Sequence, residues 1–107
     1  MKGVLGWLFQ RVTGALLVAG LLIHFMIMHF SGPEQISHAA VLRRLSNPYW
    51  KVFDAAFLLS VIYHGFNGLW GLAHEYVHSA MLLRTVQASL LTSALLLMAV
   101  GIVILTL

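Results

Sequence analysis

Two apolar stretches of this chain each carry a histidine at membrane depth, His24 in RVTGALLVAGLLIHFMIMHF and His64 in VFDAAFLLSVIYHGFNGLWGLAHEY. An ionisable group inside a lipid-spanning helix is costly, which makes each one a functional candidate. The chemistry best suited to a neutral imidazole there is ligation of a metal or a haem iron. A lone intramembrane histidine can also serve by hydrogen-bonding across helices. On a helix, Thr13, Leu17, Gly20 and His24 share one face, as do His64, Gly68, Gly71 and Glu75. A small residue therefore lies four positions from each histidine, leaving a smooth surface for a flat macrocycle or a neighbouring backbone. Gly65, Gly68 and Gly71 form a further ridge of the kind that packs membrane helices closely.

Counted from the ends of their apolar runs, the two histidines differ in depth by roughly 10 Å at ~1.5 Å of rise per residue. They cannot ligate one iron, but they could serve two haems stacked along the membrane normal. Neither stripe holds a second histidine, so a bis-histidine site would need a ligand from another chain, which implies a heteromer. The other candidates carry less. His29 points about 140° away from His24 and belongs to the helix end. His38 and His78 fall in connections, His74 beside Glu75 could join a proton path, and Met26 and Met28 suit packing or lipid contact better than ligation.

The elements that must position these residues are legible in the composition. Of 107 residues, 61% are hydrophobic and 8% charged, far from the balance of a soluble domain. Apolar runs at about 12–30, 52–74 and 85–107 each have the ~20 residues needed to cross a ~30 Å hydrocarbon core. The expected fold is therefore all-α, a single membrane domain over 1–107 with three transmembrane helices. Gln10 and Arg11 interrupt the first apolar run and no small-residue cleavage site follows, so the N-terminal segment is expected to be retained. The absence of cysteine excludes disulfides, iron–sulfur ligation and covalent c-type haem. The net charge of +3 comes from Lys2, Arg11, Arg43, Arg44, Lys51 and Arg84, scattered at membrane flanks. They suit interface anchoring and form no nucleic-acid patch; their even division between the two sides leaves the chain unoriented.

Between the first two spans, SGPEQISHAAVLRRLSNPYW opens on Ser-Gly-Pro and closes on Asn-Pro. Residues at about 36–45 have the spacing of a short amphipathic helix at the interface, and Tyr49 and Trp50 stand where an aromatic belt is expected. The short second connection makes spans two and three antiparallel neighbours, with the ends of the chain on opposite sides.

Three strings carry a resemblance: W-x-x-Q-R-V-T-G from Trp7 to Gly14, the thirteen-residue step from Arg11 to His24, and H-G-F-N-G-L-W-G-L-A-H-E-Y from His64 to Tyr76. Together they resemble the small hydrophobic membrane-anchor subunit (D type, two-haem branch) of succinate dehydrogenase, the succinate:quinone oxidoreductase of respiratory complex II. The resemblance implies that His64 is an axial ligand of haem b, with Gly68, Glu75 and Tyr76 in step. It assigns Tyr76 a hydrogen bond to quinone. Many one-haem relatives end the string in Asp-Tyr, so Glu75 is a conservative departure that keeps an acid at the quinone end. His24 resembles the additional ligand of the two-haem branch, which implies two haems b shared with a second hydrophobic anchor subunit and menaquinone as the quinone.

The same resemblance places the N-terminus, Arg11 and the Glu75–Tyr76 end on the cytoplasmic side of the inner (cytoplasmic) membrane, against the iron–sulfur subunit. His64 then serves the nearer haem and His24 the farther, and Arg11 pairs with a haem propionate or a quinone oxygen. A flavoprotein subunit would oxidise succinate, for which this chain has no equipment of its own. The alternatives from the residues alone are a small multispan transporter, disfavoured because Glu34, Asp54 and Glu75 fall in or beside connections, and a haem-b anchor of another oxidoreductase such as a formate dehydrogenase or hydrogenase.

Overall fold

The computed structural model describes residues 3–107; Lys2, expected as an interface anchor, lies outside the described residues. Four α-helices follow one another: α1 (Val4–Phe30), α2 (His38–Ser46), α3 (Pro48–Tyr76) and α4 (Ala80–Leu105), with a 3₁₀ turn at Pro33–Ile36. At ~1.5 Å per residue α1, α3 and α4 are each ~40 Å long, enough to cross the hydrocarbon core and emerge on both sides. The chain is thus a multi-pass, all-α membrane protein.

The three long helices begin earlier than the apolar runs at 12, 52 and 85, and local chemistry explains each extension. In α1, Gln10 and Arg11 do not break the helix: the Arg11 guanidinium lies 4.5 Å from the Trp7 ring centre one turn back, and Gln10 turns toward α3. At α3, the Asn47 side chain accepts a hydrogen bond from the Tyr49 N–H (2.9 Å), and Pro48 takes the first helical position, where its missing N–H is no loss. At α4, Ser79 accepts from the Leu82 N–H (3.3 Å). The interfacial helix expected at 36–45 forms at His38–Ser46, capped by Ser37, which accepts from the Ala40 N–H (3.2 Å). Gly32, with φ of +93°, turns the chain out of α1 through a conformation open to glycine.

Helix α3 is central, packed against α1 on one side and α4 on the other, with α2 across its N-terminal end. Both pairings are antiparallel. Gly14 meets His64, Gly20 meets Phe57 and His24 meets Asp54, while Gly101 meets Leu58 and His74 meets Gln87. A Cβ on Gly20 would collide with the Phe57 ring, and one on Gly101 with Leu58, so these small residues set the closest approaches. Gly20 therefore receives a ring of this chain, and Gly68 receives the Gln10 side chain, 3.7 Å from where its Cβ would stand; Gly65 and Gly71 face open space.

This register corrects two expectations. Pairing Gly14 with His64 and His24 with Asp54 puts ten residues between the histidine levels on either helix, or ~15 Å rather than ~10 Å. The apolar run ended α1 correctly at 30 but started α3 at 52, four residues after its true start at Pro48. Asp54, expected beside a connection, is in the body of α3 and faces α1. Few side chains are buried: Ala40, Leu45, Ile62 and Ala73 form the small apolar core with Ser60. Most large apolar side chains of the spans remain exposed, as lipid and neighbouring protein chains require of a bundle that does not close on itself.

Candidate functional site

His64 is held by α1. Its Nδ1 lies 3.0 Å from the Gln10 carbonyl and 3.4 Å from the Thr13 hydroxyl, which itself donates to the Phe9 carbonyl (2.7 Å). A carbonyl only accepts, so the Nδ1 carries the proton and Nε2 is left with its lone pair, the form of imidazole that binds a metal. Orientation of a ligating histidine through its other nitrogen is the usual device of such sites. The Gln10 side chain braces the arrangement, donating to the His64 carbonyl (3.3 Å) and accepting from the Asn67 amide (2.8 Å). Gly14 provides the notch: a Cβ there would stand 3.1 Å from the His64 Cε1.

Beside this imidazole opens a 620 Å³ cavity lined by Gly3, Gly6, Trp7, Gln10, Arg11, Gly14, His64 and Asn67. That volume falls in the range of about 300–1,000 Å³ typical of cofactor sites. Its small floor, one available imidazole nitrogen and one guanidinium at its wall fit a haem with an anionic edge group near Arg11. Arg11 and His64, on separate helices, thus line one cavity.

His24 has a different setting. Its Nε2 lies 3.8 Å from the Asp54 carboxylate, and its ring sits 4.7 Å and 5.6 Å from the rings of Phe57 and Phe53. His24 is 35% exposed and Asp54 23%, so the pair is half-buried. On its other side His24 lines a 390 Å³ apolar cavity with Leu21, Leu22, Phe25 and Met28. At 3.8 Å Asp54 is an ion-pair neighbour of the imidazole rather than a hydrogen-bond partner; the imidazole at an apolar cavity is what would suit a haem here. Trp7, Gly14, Leu21 and Met28 recur every seven residues and line one cavity or the other. Seven residues is nearly two helical turns, so both cavities open on the same side of α1, one above the other.

The structure does not bring Glu75 and Tyr76 into either cavity. Both lie exposed at the end of α3, Tyr76 at 70%, some 18 Å along the helix from His64 at ~1.5 Å per residue. The His74 Nε2 accepts from the Gln87 amide N–H (2.9 Å) and ties α3 to α4. His29 hydrogen-bonds the Phe25 carbonyl (3.1 Å) at the exposed end of α1. Among the described residues no three potential metal-ligating side chains converge, so each cavity is offered a single imidazole. Sequence reasoning gave no role to Gln10, Asn67 or Asp54. The available signal was the antiparallel pairing: residues facing one another across α1 and α3 have numbers that add to about 77, as in 10 with 67 and 24 with 54, with 10 and 64 displaced by about one turn.

Comparison with known proteins identifies the family of the chain. Residues 1–105 match the family described as succinate dehydrogenase/fumarate reductase transmembrane subunit. The chain is 37% identical over 65 residues to the succinate dehydrogenase hydrophobic membrane anchor subunit of Archaeoglobus fulgidus, covering 61% of this chain and 56% of that protein. It is 34% identical over 68 residues to the protein of the same name from Thermoplasma acidophilum, covering 63% and 55%. The matched region thus spans a little over half the length of these relatives. With three apolar helices and a match running from end to end, the chain belongs to the succinate dehydrogenase/fumarate reductase transmembrane subunit family.

Proposed function

We propose that this chain is the membrane-anchor cytochrome b subunit of a succinate:quinone oxidoreductase, holding two haems b jointly with a second hydrophobic anchor subunit and passing electrons from an iron–sulfur subunit to menaquinone. The observation that carries the reading is the 3.0 Å contact of the His64 Nδ1 with the Gln10 carbonyl, which leaves Nε2 free at a cavity that Arg11 also lines. The flavoprotein subunit oxidises succinate. Haem, when bound, supplies one-electron transfer across the membrane interior.

In this reading His64 and His24 would each supply one imidazole nitrogen to a haem, from levels ~15 Å apart, and the partner would cover the shared face of α1 and supply the remaining ligands. The α1 residues lining that face exclude water from both levels, and Arg11 neutralises an anionic edge at the upper one. The N-terminus and the Glu75–Tyr76 end lie toward the cytoplasm against the iron–sulfur subunit, in the cytoplasmic membrane. Asp54, an intramembrane carboxylate of the kind a proton-coupled carrier would use, is engaged by His24, which favours the anchor over a carrier.

The test is the pyridine haemochrome spectrum of the purified complex, expected to show two b-type haems per flavin; a haem-free complex overturns the reading. Tyr76 and Glu75 are the proposed quinone groups. A phenol donating to a carbonyl that gains negative charge on reduction favours the transition state over the ground state. Tyr76→Phe is expected to slow succinate-to-quinone turnover at least about tenfold, ~1.4 kcal/mol of barrier, with flavin-site activity toward an artificial acceptor and haem content unchanged. Near-wild-type turnover would move the quinone site to the His24 end.

A further inference from the structure

The end of the bundle remote from Glu75 and Tyr76 carries two adjoining recesses; the quinone assignment uses neither, and the haem assignment shares with the larger one the wall formed by His24 and Met28. One is polar, 310 Å³, lined by Gln35, Ala40, Arg43, Arg44, Asn47 and Trp50. The other, 370 Å³, runs between the C-terminal halves of α1 and α4 and the N-terminal half of α3, with Ile27, Leu58, Val61, Ile104 and Leu105 among its walls. Arg44 and Trp50 line both, so the polar recess is the mouth of the apolar one.

The salt bridge of the described residues joins His24 to Asp54; Arg44 feels the Asp54 carboxylate from beyond salt-bridge distance, and Arg43 is paired with no carboxylate among the described residues. Arg44 is pinned by donation to the Gln35 carbonyl (2.7 Å), which leaves its remaining N–H donors for a ligand. Arg43 is exposed on the same turn of α2. Asp54, which also lines the apolar recess, is turned onto His24 rather than left alone toward an anion. Trp50 is the aromatic anchor of the interface.

The dimensions complete the argument. From Trp50 to Val61 the apolar wall follows eleven residues of α3, ~16 Å of helix, about half of the ~30 Å hydrocarbon core and so one leaflet deep. We infer that Arg43 and Arg44 on α2, with the apolar recess behind them, form a binding site for an anionic membrane phospholipid, its phosphate on the guanidiniums and one acyl chain along α3. A quinone would fill the apolar part, but its neutral headgroup has no use for two cations. The lipid would close the seam among α1, α2, α3 and α4 where the chain itself leaves a gap.

The experiment is native mass spectrometry of the intact complex after reconstitution into phosphatidylcholine bilayers containing a minor fraction of phosphatidylglycerol. Wild type is expected to retain phosphatidylglycerol over phosphatidylcholine. Arg43→Gln, which touches no fold contact, should lower that enrichment about fivefold, from ~1 kcal/mol per cation near an anionic surface. Val61→Phe, which narrows the recess, should lower retention of either lipid. Arg44→Gln removes the contact with Gln35 as well, so Arg43→Gln is the decisive variant, and unchanged melting of that variant in lipid-free detergent confirms that its fold is intact. Equal retention of the two lipids by wild type, an enrichment indifferent to Arg43, or quinone retained in place of lipid would each overturn the proposal.

Discussion

His64→Ala is expected to remove one haem from the complex outright. Among the described residues no other histidine lines the 620 Å³ cavity, and a methyl group cannot replace a nitrogen ligand. The scaffold around the vacancy should survive, because the Gln10–Asn67 hydrogen bond (2.8 Å) still sets α1 against α3, and the lost ring was half-buried rather than part of the core. The measurement is haem per flavin by pyridine haemochrome, together with the low-spin haem signal in electron paramagnetic resonance. The expected result is a loss of one haem, with the anchor subunits still co-purifying. Unchanged haem content and unchanged reduced-minus-oxidised bands would refute the assignment of His64.

The second large effect is at His24, where His24→Ala is expected to lower the haem-to-flavin ratio from about two toward one while the His64-linked transition stays in place. This substitution also strips Asp54 of its partner, and a carboxylate left unpaired at membrane depth destabilises by itself. Half exposure of the pair softens that cost. His24→Ala combined with Asp54→Asn separates the two effects: the double variant should regain assembly but not the haem. If the double variant binds two haems, His24 is a structural partner of Asp54 and not a ligand. A wild-type ratio of one would lead to the same conclusion.

Gln10 shows where sequence reading stops. It belongs to the Q-R-V-T-G string, yet its work is done through a backbone carbonyl on His64, fifty-four positions away, and no side-chain motif records a carbonyl. Asp54 was misplaced for a related reason: its apolar run begins near 52, so it looked like an edge residue, whereas Asn47 and Pro48 start the helix a full turn earlier. Glu75 and Tyr76 lie at the end of α3 as their position in the string implied, and both are exposed there.

What the sequence determined by itself is the number of spans, that each is long enough to cross the membrane, and the interfacial helix between the first two. In lipid every backbone polar group must be satisfied within its own segment, so an apolar run of sufficient length is compelled to be a helix whatever its neighbours do. It also placed one histidine on each of two spans. Only the tertiary structure decided which faces meet, that His24 looks at Asp54 and His64 at Gln10, that the histidine levels stand ~15 Å apart, and that both cavities share one side of α1. The physical reason is that a membrane helix is apolar all round, so its hydrophobic pattern does not mark an inner face. The choice is left to a few glycines and polar pairs whose partners are contributed by another helix.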